Sequence, residues 1–319
     1  MLTAVGLIVI GFVLLMVGAE YTVKGSVAIA NKMKIPTIIV GLTIVALGTS
    51  APEFVVSIRA ALNGAAGISI GNVIGSNIAN IFLILGVASL IFPIKCRRRI
   101  FLRDYKFLLV VSVVFIAFAL TGKFVLWHGI VLLIMLIGFI YYNYRNTSKS
   151  TICEGSISPM AHKSWYFVLF VTISGLTGII YGADLLVKGA VDIAKILGVS
   201  DEIIGLTIVA IGTSLPELAT TVMAAIRKEN GVALGNILGS NIWNIVFIMG
   251  FTAVVTEVSV PTQFIHYDVW IMLLSTILLL PAMMTRARLS RSEGFVFVFI
   301  YGFYIVSQIL IAQGTWNLG

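Results

Sequence analysis

Two glutamates, Glu53 and Glu217, close the same six-residue phrase inside apolar runs: GTSAPE at 48–53 and GTSLPE at 212–217. An acid at the centre of a membrane helix costs about 2.5–3.5 kcal/mol on insertion scales, so acids kept there bind or move ions by default. Pro52 and Pro216 lack a backbone donor and clash with the carbonyl four residues back. That predicts freed carbonyls at Gly48 and Gly212 and disturbed ones at Thr49 and Thr213. Thr49 and Ser50 precede Glu53 by four and three residues, and Thr213 and Ser214 precede Glu217 in the same way, which puts each set on one helix face. Carboxylate, hydroxyl and carbonyl oxygens are the hard ligands that calcium gathers, roughly 6–8 at a time. Soft ligands are missing from these segments, which disfavours zinc and copper.

A second phrase is also present twice, GNVIGSNIAN at 71–80 and GNILGSNIWN at 235–244. Asn72, Ser76 and Asn80 are four apart and form a polar stripe, as do Asn236, Ser240 and Asn244. Gly71 with Gly75, and Gly235 with Gly239, form GxxxG faces that admit a close helix neighbour. Ser76, Asn80, Ser240 and Asn244 read as site residues. Asn72, Asn77, Asn236 and Asn241 read equally as site residues or as interhelical hydrogen-bonding glue.

The elements that must position these groups are membrane helices. Of 319 residues 59% are hydrophobic and 11% charged, more apolar surface than a soluble exterior can hide. Ten apolar runs reach about the 20 residues a spanning helix needs. They lie near 3–30, 36–60, 69–93, 104–121, 124–144, 165–193, 203–226, 232–255, 267–284 and 294–312. The first lacks a basic n-region and outruns a signal-peptide core, so it is expected to be a membrane helix.

The formal charge of +8 does not indicate nucleic acid, because of where the bases fall. The connections after runs one, three, five, seven and nine hold 16 of the 21 Lys and Arg residues, the other connections 3 and the helices 2. Bases concentrated in alternate loops mark the cytoplasmic side. Both termini are then expected outside, with the protein in the cell membrane. The run Lys95–Lys106 could also meet anionic lipid. Cys96 and Cys153 fall singly in these loops and are read as free thiols. His128, His162 and His266 lack zinc spacing. Glu20 with Lys24, and Asp184 with Lys188, have the spacing of ordinary helical ion pairs.

The duplication extends well beyond the motifs. GAEYTVKGSVAIA at 18–30 matches GADLLVKGAVDIA at 182–194, and GLTIVALGTSAPE at 41–53 matches GLTIVAIGTSLPE at 205–217. Every pair, including Asp104 with Asp268, keeps an offset of 164 residues. The fold expected is all-α and integral to the membrane, with ten helices in two five-helix repeats and breaks in the second and seventh helices near the midplane. An odd number of helices per repeat inverts the second copy, an architecture that transporters use. The repeats are taken as 1–145 and 165–319, joined by a cytoplasmic linker at 146–164.

At the GTSxPE and GNxxGSNxxN motifs the sequence resembles the sodium/calcium exchanger family, within the calcium/cation antiporter superfamily, and it does so over essentially the whole chain. The resemblance implies a calcium position at the carboxylates of Glu53 and Glu217 and the carbonyls of Thr49 and Thr213. It implies one sodium position at Ala46, Thr49, Ser50, Glu217 and Ser240, and another at Ala210, Thr213, Ser214, Glu53 and Ser76. Asn80 and Asn244 would line the middle, and the first and sixth helices would slide to switch access. Such exchangers often carry Asp where this chain has Asn244, so only two carboxylates stand at the centre. The short linker implies a form without the large regulatory domain of animal exchangers.

The function expected is secondary antiport of sodium against calcium, with Ca²⁺ and Na⁺ as transported ions, no cofactor and no enzymatic activity. A calcium/proton exchanger is the alternative, since crowded carboxylates can take up H⁺. A cation channel is the alternative from a different class, since acids select cations there too.

Overall fold

The structure is a computed structural model that describes residues 1–146, 158–197 and 210–312. The described residues are almost wholly helical. They form α1 (Leu2–Met33), α2 (Thr37–Thr49), α3 (Ala51–Leu62), α4 (Ala66–Ile91), α5 (Arg98–Ala119), α6 (Leu126–Asn146), α7 (Trp165–Ile196), α8 (Ala210–Thr213), α9 (Leu215–Ile226), α10 (Asn230–Val255), α11 (Phe264–Met284) and α12 (Arg291–Ala312). Among them, seven helices are long and apolar enough to cross a membrane, or eight when the bent pair α2–α3 is taken as one span. The protein is an all-helical, multi-span membrane protein. The α5 helix begins at Arg98, six residues before the apolar run reads as helix. Its first turns are basic, and long Lys and Arg stems keep their heads in water while the backbone continues the helix.

The chain divides into two compact units, Met1–Pro52 with Thr147–Asn236, and Glu53–Asn146 with Ile237–Gly319. Each unit draws on both halves of the duplication.

In the first unit α1 packs against its own repeat equivalent, α7. Glycines recur every seven residues on both, at Gly11, Gly18 and Gly25 and at Gly175, Gly182 and Gly189. A Cβ on Gly18 would lie 2.7 Å from the carbonyl oxygen of Gly175, and one on Gly11 would lie 2.7 Å from that of Gly182. The pairing runs in opposite directions along the two helices, so they are antiparallel. Lipid is as apolar as leucine, so close backbone approach is what drives such helices together. The α2 helix crosses α10 just as closely, with Gly235 against the carbonyl of Ile38. Glu20 pairs with Lys24 at 2.6 Å and also with Arg227, while Lys188 pairs with Asp184 at 2.7 Å.

In the second unit two short antiparallel ribbons tie the helix ends. The strand β1 (Ile94–Lys95) pairs with β4 (Arg288–Leu289), and β2 (Lys123–Phe124) pairs with β3 (Val258–Ser259). Asp104, at the repeat equivalent of Asp268, is held by its neighbour Arg103, Nε to Oδ1 at 2.7 Å and Nη2 to Oδ2 at 3.1 Å. Asp268 instead accepts from Tyr304 at 3.0 Å and Gln308 at 2.7 Å. On α4 a Cβ on Gly71 would lie 3.1 Å from the ring of Phe264, whereas one on Gly75 would meet nothing within 4 Å among the described residues.

Candidate functional site

The acids sit just after helix breaks. The α2 helix stops at Thr49, Ser50 takes φ −82° and ψ 8°, and α3 restarts at Ala51 with a bend of 47°. Ser214 does the same at φ −89° and ψ 4° before α9. Proline explains the position of the restart. Pro52 and Pro216 are the second residues of the new helices, where a missing N–H costs nothing and a fixed φ suits the turn. The shared helix face read from the spacing is therefore interrupted. Thr49 and Ser50 end one helix and Glu53 begins the next. In the second copy, Thr213 and Ser214 precede the restart that carries Glu217.

Within the first unit Ser50 donates its hydroxyl to Glu217 Oε1 at 2.9 Å, joining one repeat to the other. Glu217 is 1% exposed. Asn236 organises this acid: its Nδ2 donates to Thr221 Oγ1 at 3.0 Å and to the Glu217 carbonyl at 3.4 Å. The Thr49 hydroxyl lies 3.2 Å from Asn236 Oδ1 and 3.3 Å from the Ala46 carbonyl, and donates to one of them at a time. That Ala46 carbonyl already accepts the Ser50 N–H at 3.0 Å, leaving its second lone pair for another partner. Ser214 is buried and its Oγ has no hydrogen-bond partner among the described residues. Ala210 and Thr213 bound the single helical turn α8 before the break.

Within the second unit the arrangement is repeated. Glu53 is likewise 1% exposed. Asn72 Nδ2 donates to the Glu53 carbonyl at 3.0 Å and to Ser57 Oγ at 2.8 Å. Ser57 and Thr221 each stand four residues after their acid. Asn72 and Asn236 thus act as clamps that fix the turn carrying the carboxylate, the interhelical hydrogen-bonding role read from the sequence. The signal that could have decided for it is the pair of hydroxyl residues, Ser57 and Thr221, at matched positions. Asn77 serves its own helix, donating to the Val73 carbonyl at 2.7 Å.

Ser76, Asn80, Ser240 and Asn244 are all buried in this unit. Asn80 opens a wide π-helical turn at Asn80–Leu85, and Asn244 opens its counterpart at Asn244–Met249. Such turns re-aim side chains and cluster at functional sites. Among the described residues neither amide atom of Asn80 has a hydrogen-bond partner, nor does Asn244 Oδ1. A buried amide left unmatched costs about 1–3 kcal/mol, an arrangement that ligand binding can recover.

The sodium/calcium exchanger protein family matches residues 3–145 and 167–310, almost all of both halves. The chain belongs to the sodium/calcium exchanger family. It is 31% identical to the sodium/calcium exchanger MaX1 of Methanosarcina acetivorans, across 94% of this chain and 97% of that one. It is 31% identical to the inner membrane protein YrbG of Escherichia coli, across 96% of each. Among solved structures, the sodium–calcium exchanger NCX_Mj, soaked with Na⁺ and Ca²⁺, superposes with a TM-score of 0.83 at 33% identity, covering 95% of this chain and 98% of that one. Membership of the exchanger family makes this protein a cation antiporter of the calcium-transporting class and not an enzyme. The two buried acids, each after a proline break and each clamped by an asparagine, are the features of this exchanger that stand out physically.

Proposed function

We propose that this exchanger couples entry of sodium to movement of calcium in the opposite direction by alternating access. The observation that carries the reading is the duplicated acid: a buried glutamate that follows a helix break and is clamped by an asparagine, once in each repeat. Calcium takes the carboxylates of Glu53 and Glu217 and the carbonyls of Thr49 and Thr213. Sodium takes Ala46, Thr49, Ser50, Glu217 and Ser240 at one position and Ala210, Thr213, Ser214, Glu53 and Ser76 at the other. Asn80 and Asn244 line the centre. The hydrogen bond from Ser50 to Glu217 supports this grouping, because it brings a hydroxyl of one repeat to the acid of the other. Two carboxylates balance one Ca²⁺, and competition of the ions for the same oxygens supplies the coupling, since only differential binding shifts the inward–outward equilibrium.

The repeats, 1–145 and 165–319 with ten helices in all, are inverted. What supports inversion is the ribbon pairing. Ile94 and Val258 are equivalent positions, yet Ile94 pairs with Leu289 and Val258 with Phe124. The 22 residues of α5, ~33 Å of helix at 1.5 Å per residue, separate the first strand from the second. Equivalent strands therefore lie at opposite ends, as expected when one copy is turned over. The β1–β4 end carries Lys95, Arg97, Arg286 and Arg288, and the β2–β3 end carries the exposed pair Lys123–Glu257. By the positive-inside rule the first end is cytoplasmic, which puts both termini outside the cell membrane.

Purified protein in vesicles tests the function. An imposed sodium gradient is expected to drive calcium uptake, and Glu53→Gln and Glu217→Gln are each expected to abolish it. Uptake at wild-type rates in both variants would overturn the assignment. Calcium flux driven by a pH gradient without sodium would select proton exchange instead, and flux without any counter-gradient would select a channel.

A further inference from the structure

We propose that the groove between α5 and α6, at the end marked above as cytoplasmic, is a binding site for the phosphate headgroup of an anionic phospholipid. The groove has a volume of about 540 Å³. Its bases fall on one face of α5, at Arg99, Arg103 and Lys106, following the i, i+4, i+7 spacing of a helix. Arg103 has its charge matched by Asp104, whose carboxylate accepts from its Nε and Nη2. Arg99 and Lys106 are exposed and make no hydrogen bond or ion pair among the described residues, so the net charge of the groove is theirs. They stand seven residues apart, ~10 Å along the axis, a gap their long side chains can close on one phosphodiester.

The opposite end of the groove identifies the source of the phosphate. One turn beyond Lys106 the lining becomes apolar, with Val110 at 52% exposure. The floor is Phe139, stacked on Phe107 with ring centroids 4.5 Å apart. Tyr142 flanks the basic end, a residue type that favours the depth of lipid headgroups. A free phosphate would have no use for that apolar continuation, whereas the acyl chain of a lipid would lie along it. Basic pockets between membrane helices on the cytoplasmic side bind anionic headgroups in this way. The proposal rests on the groove and on the membrane placement of α5 and α6, and is independent of which cations are exchanged.

The test is native mass spectrometry of the full chain released from mixed micelles of phosphatidylcholine and phosphatidylglycerol. Wild-type protein is expected to retain phosphatidylglycerol preferentially. Arg99→Gln with Lys106→Gln is expected to cut that preference roughly 30-fold, taking each base at about 1 kcal/mol. Arg99→Lys keeps the charge and is expected to keep the preference, and Lys123→Gln, at the other end, is expected to leave it unchanged. Millimolar inorganic phosphate is expected not to displace the lipid. Absence of preference in the wild type, or equal preference in the double variant, overturns the proposal. Displacement by phosphate alone would overturn the assignment to lipid. Calcium uptake measured on the same preparations reports the transport reading separately.

Discussion

Gly18→Ala and Gly6→Ala make the same chemical change in the same helix and are expected to act in opposite directions. Both exchange glycine for a better helix former, a gain of up to about 1 kcal/mol that cancels in the comparison. At Gly6 the new methyl meets nothing within 4 Å. At Gly18 it lies 2.7 Å from the carbonyl oxygen of Gly175 and 2.8 Å from the amide nitrogen of Ile179. Both neighbours are backbone, so a side chain cannot swing away. Ordinary contact begins at 3.4 Å, which requires α1 and α7 to separate by several tenths of an ångström along their seam. Overpacking of this kind costs about 1–3 kcal/mol. At about 2–4 °C per kcal/mol, the two variants are expected to differ by roughly 2–12 °C in thermal stability in detergent, with Gly6→Ala the more stable. The duplication supplies an independent repeat of the test. A Cβ on Gly182 would lie 2.6 Å from the amide nitrogen of Leu15, so Gly182→Ala is expected to match Gly18→Ala. Equal melting temperatures for Gly18→Ala and Gly6→Ala would refute the close antiparallel seam.

Asn236→Leu removes the clamp on Glu217 and the donor to the Thr221 hydroxyl, so calcium uptake is expected to fall at least about tenfold while the protein still purifies as a folded species; undiminished uptake would show the clamp to be dispensable. Asp268→Asn keeps an acceptor for Tyr304 and Gln308 and is expected to cost under about 1 kcal/mol, whereas Asp268→Leu strands both donors and is expected to cost about 2–5 kcal/mol; thermal melts of the two side by side check the difference. Cys96 lies in the connection between α4 and α5, where burial, opposed by the Arg98 charge, pushes its thiol up to about 11. Only the thiolate is alkylated. In a Cys153→Ser background, iodoacetamide labelling of Cys96 is therefore expected to be roughly a hundredfold slower than that of an exposed thiol at pH 8, and to rise about tenfold per pH unit up to pH 10. A rate that levels off near pH 9 would contradict it.

Much of this protein is legible without coordinates because membranes leave few options. A backbone in lipid must satisfy its own hydrogen bonds, so long apolar runs become helices, and the spans from α1 to α12 fall close to the hydrophobic segments. The acids Glu53 and Glu217, and the prolines before them, are visible for the same reason: a charge and a helix breaker are costly there and stand out. The duplication is legible because one offset of 164 residues holds from motif to motif.

What the linear pattern could not decide is which groups meet. Helical spacing pointed Ser50 at Glu53, three residues on, but the break at Ser50 turns it instead to Glu217, 167 residues away. Asn72 and Asn236 read as either ligand or glue until Ser57, Thr221 and the two glutamate carbonyls were found under their amides. The start of α5 lay hidden because charged side chains at a membrane surface can leave the helix for water while the backbone cannot. The glycine seam was written in the sequence at intervals of seven, yet its meaning depended on α7 lying antiparallel against α1. Sequence determined the helices and the two buried charges through local and solvation costs. Tertiary structure decided the partners that spacing left open, because hydrogen bonds and backbone contacts between distant segments depend on distances that no spacing along the chain records.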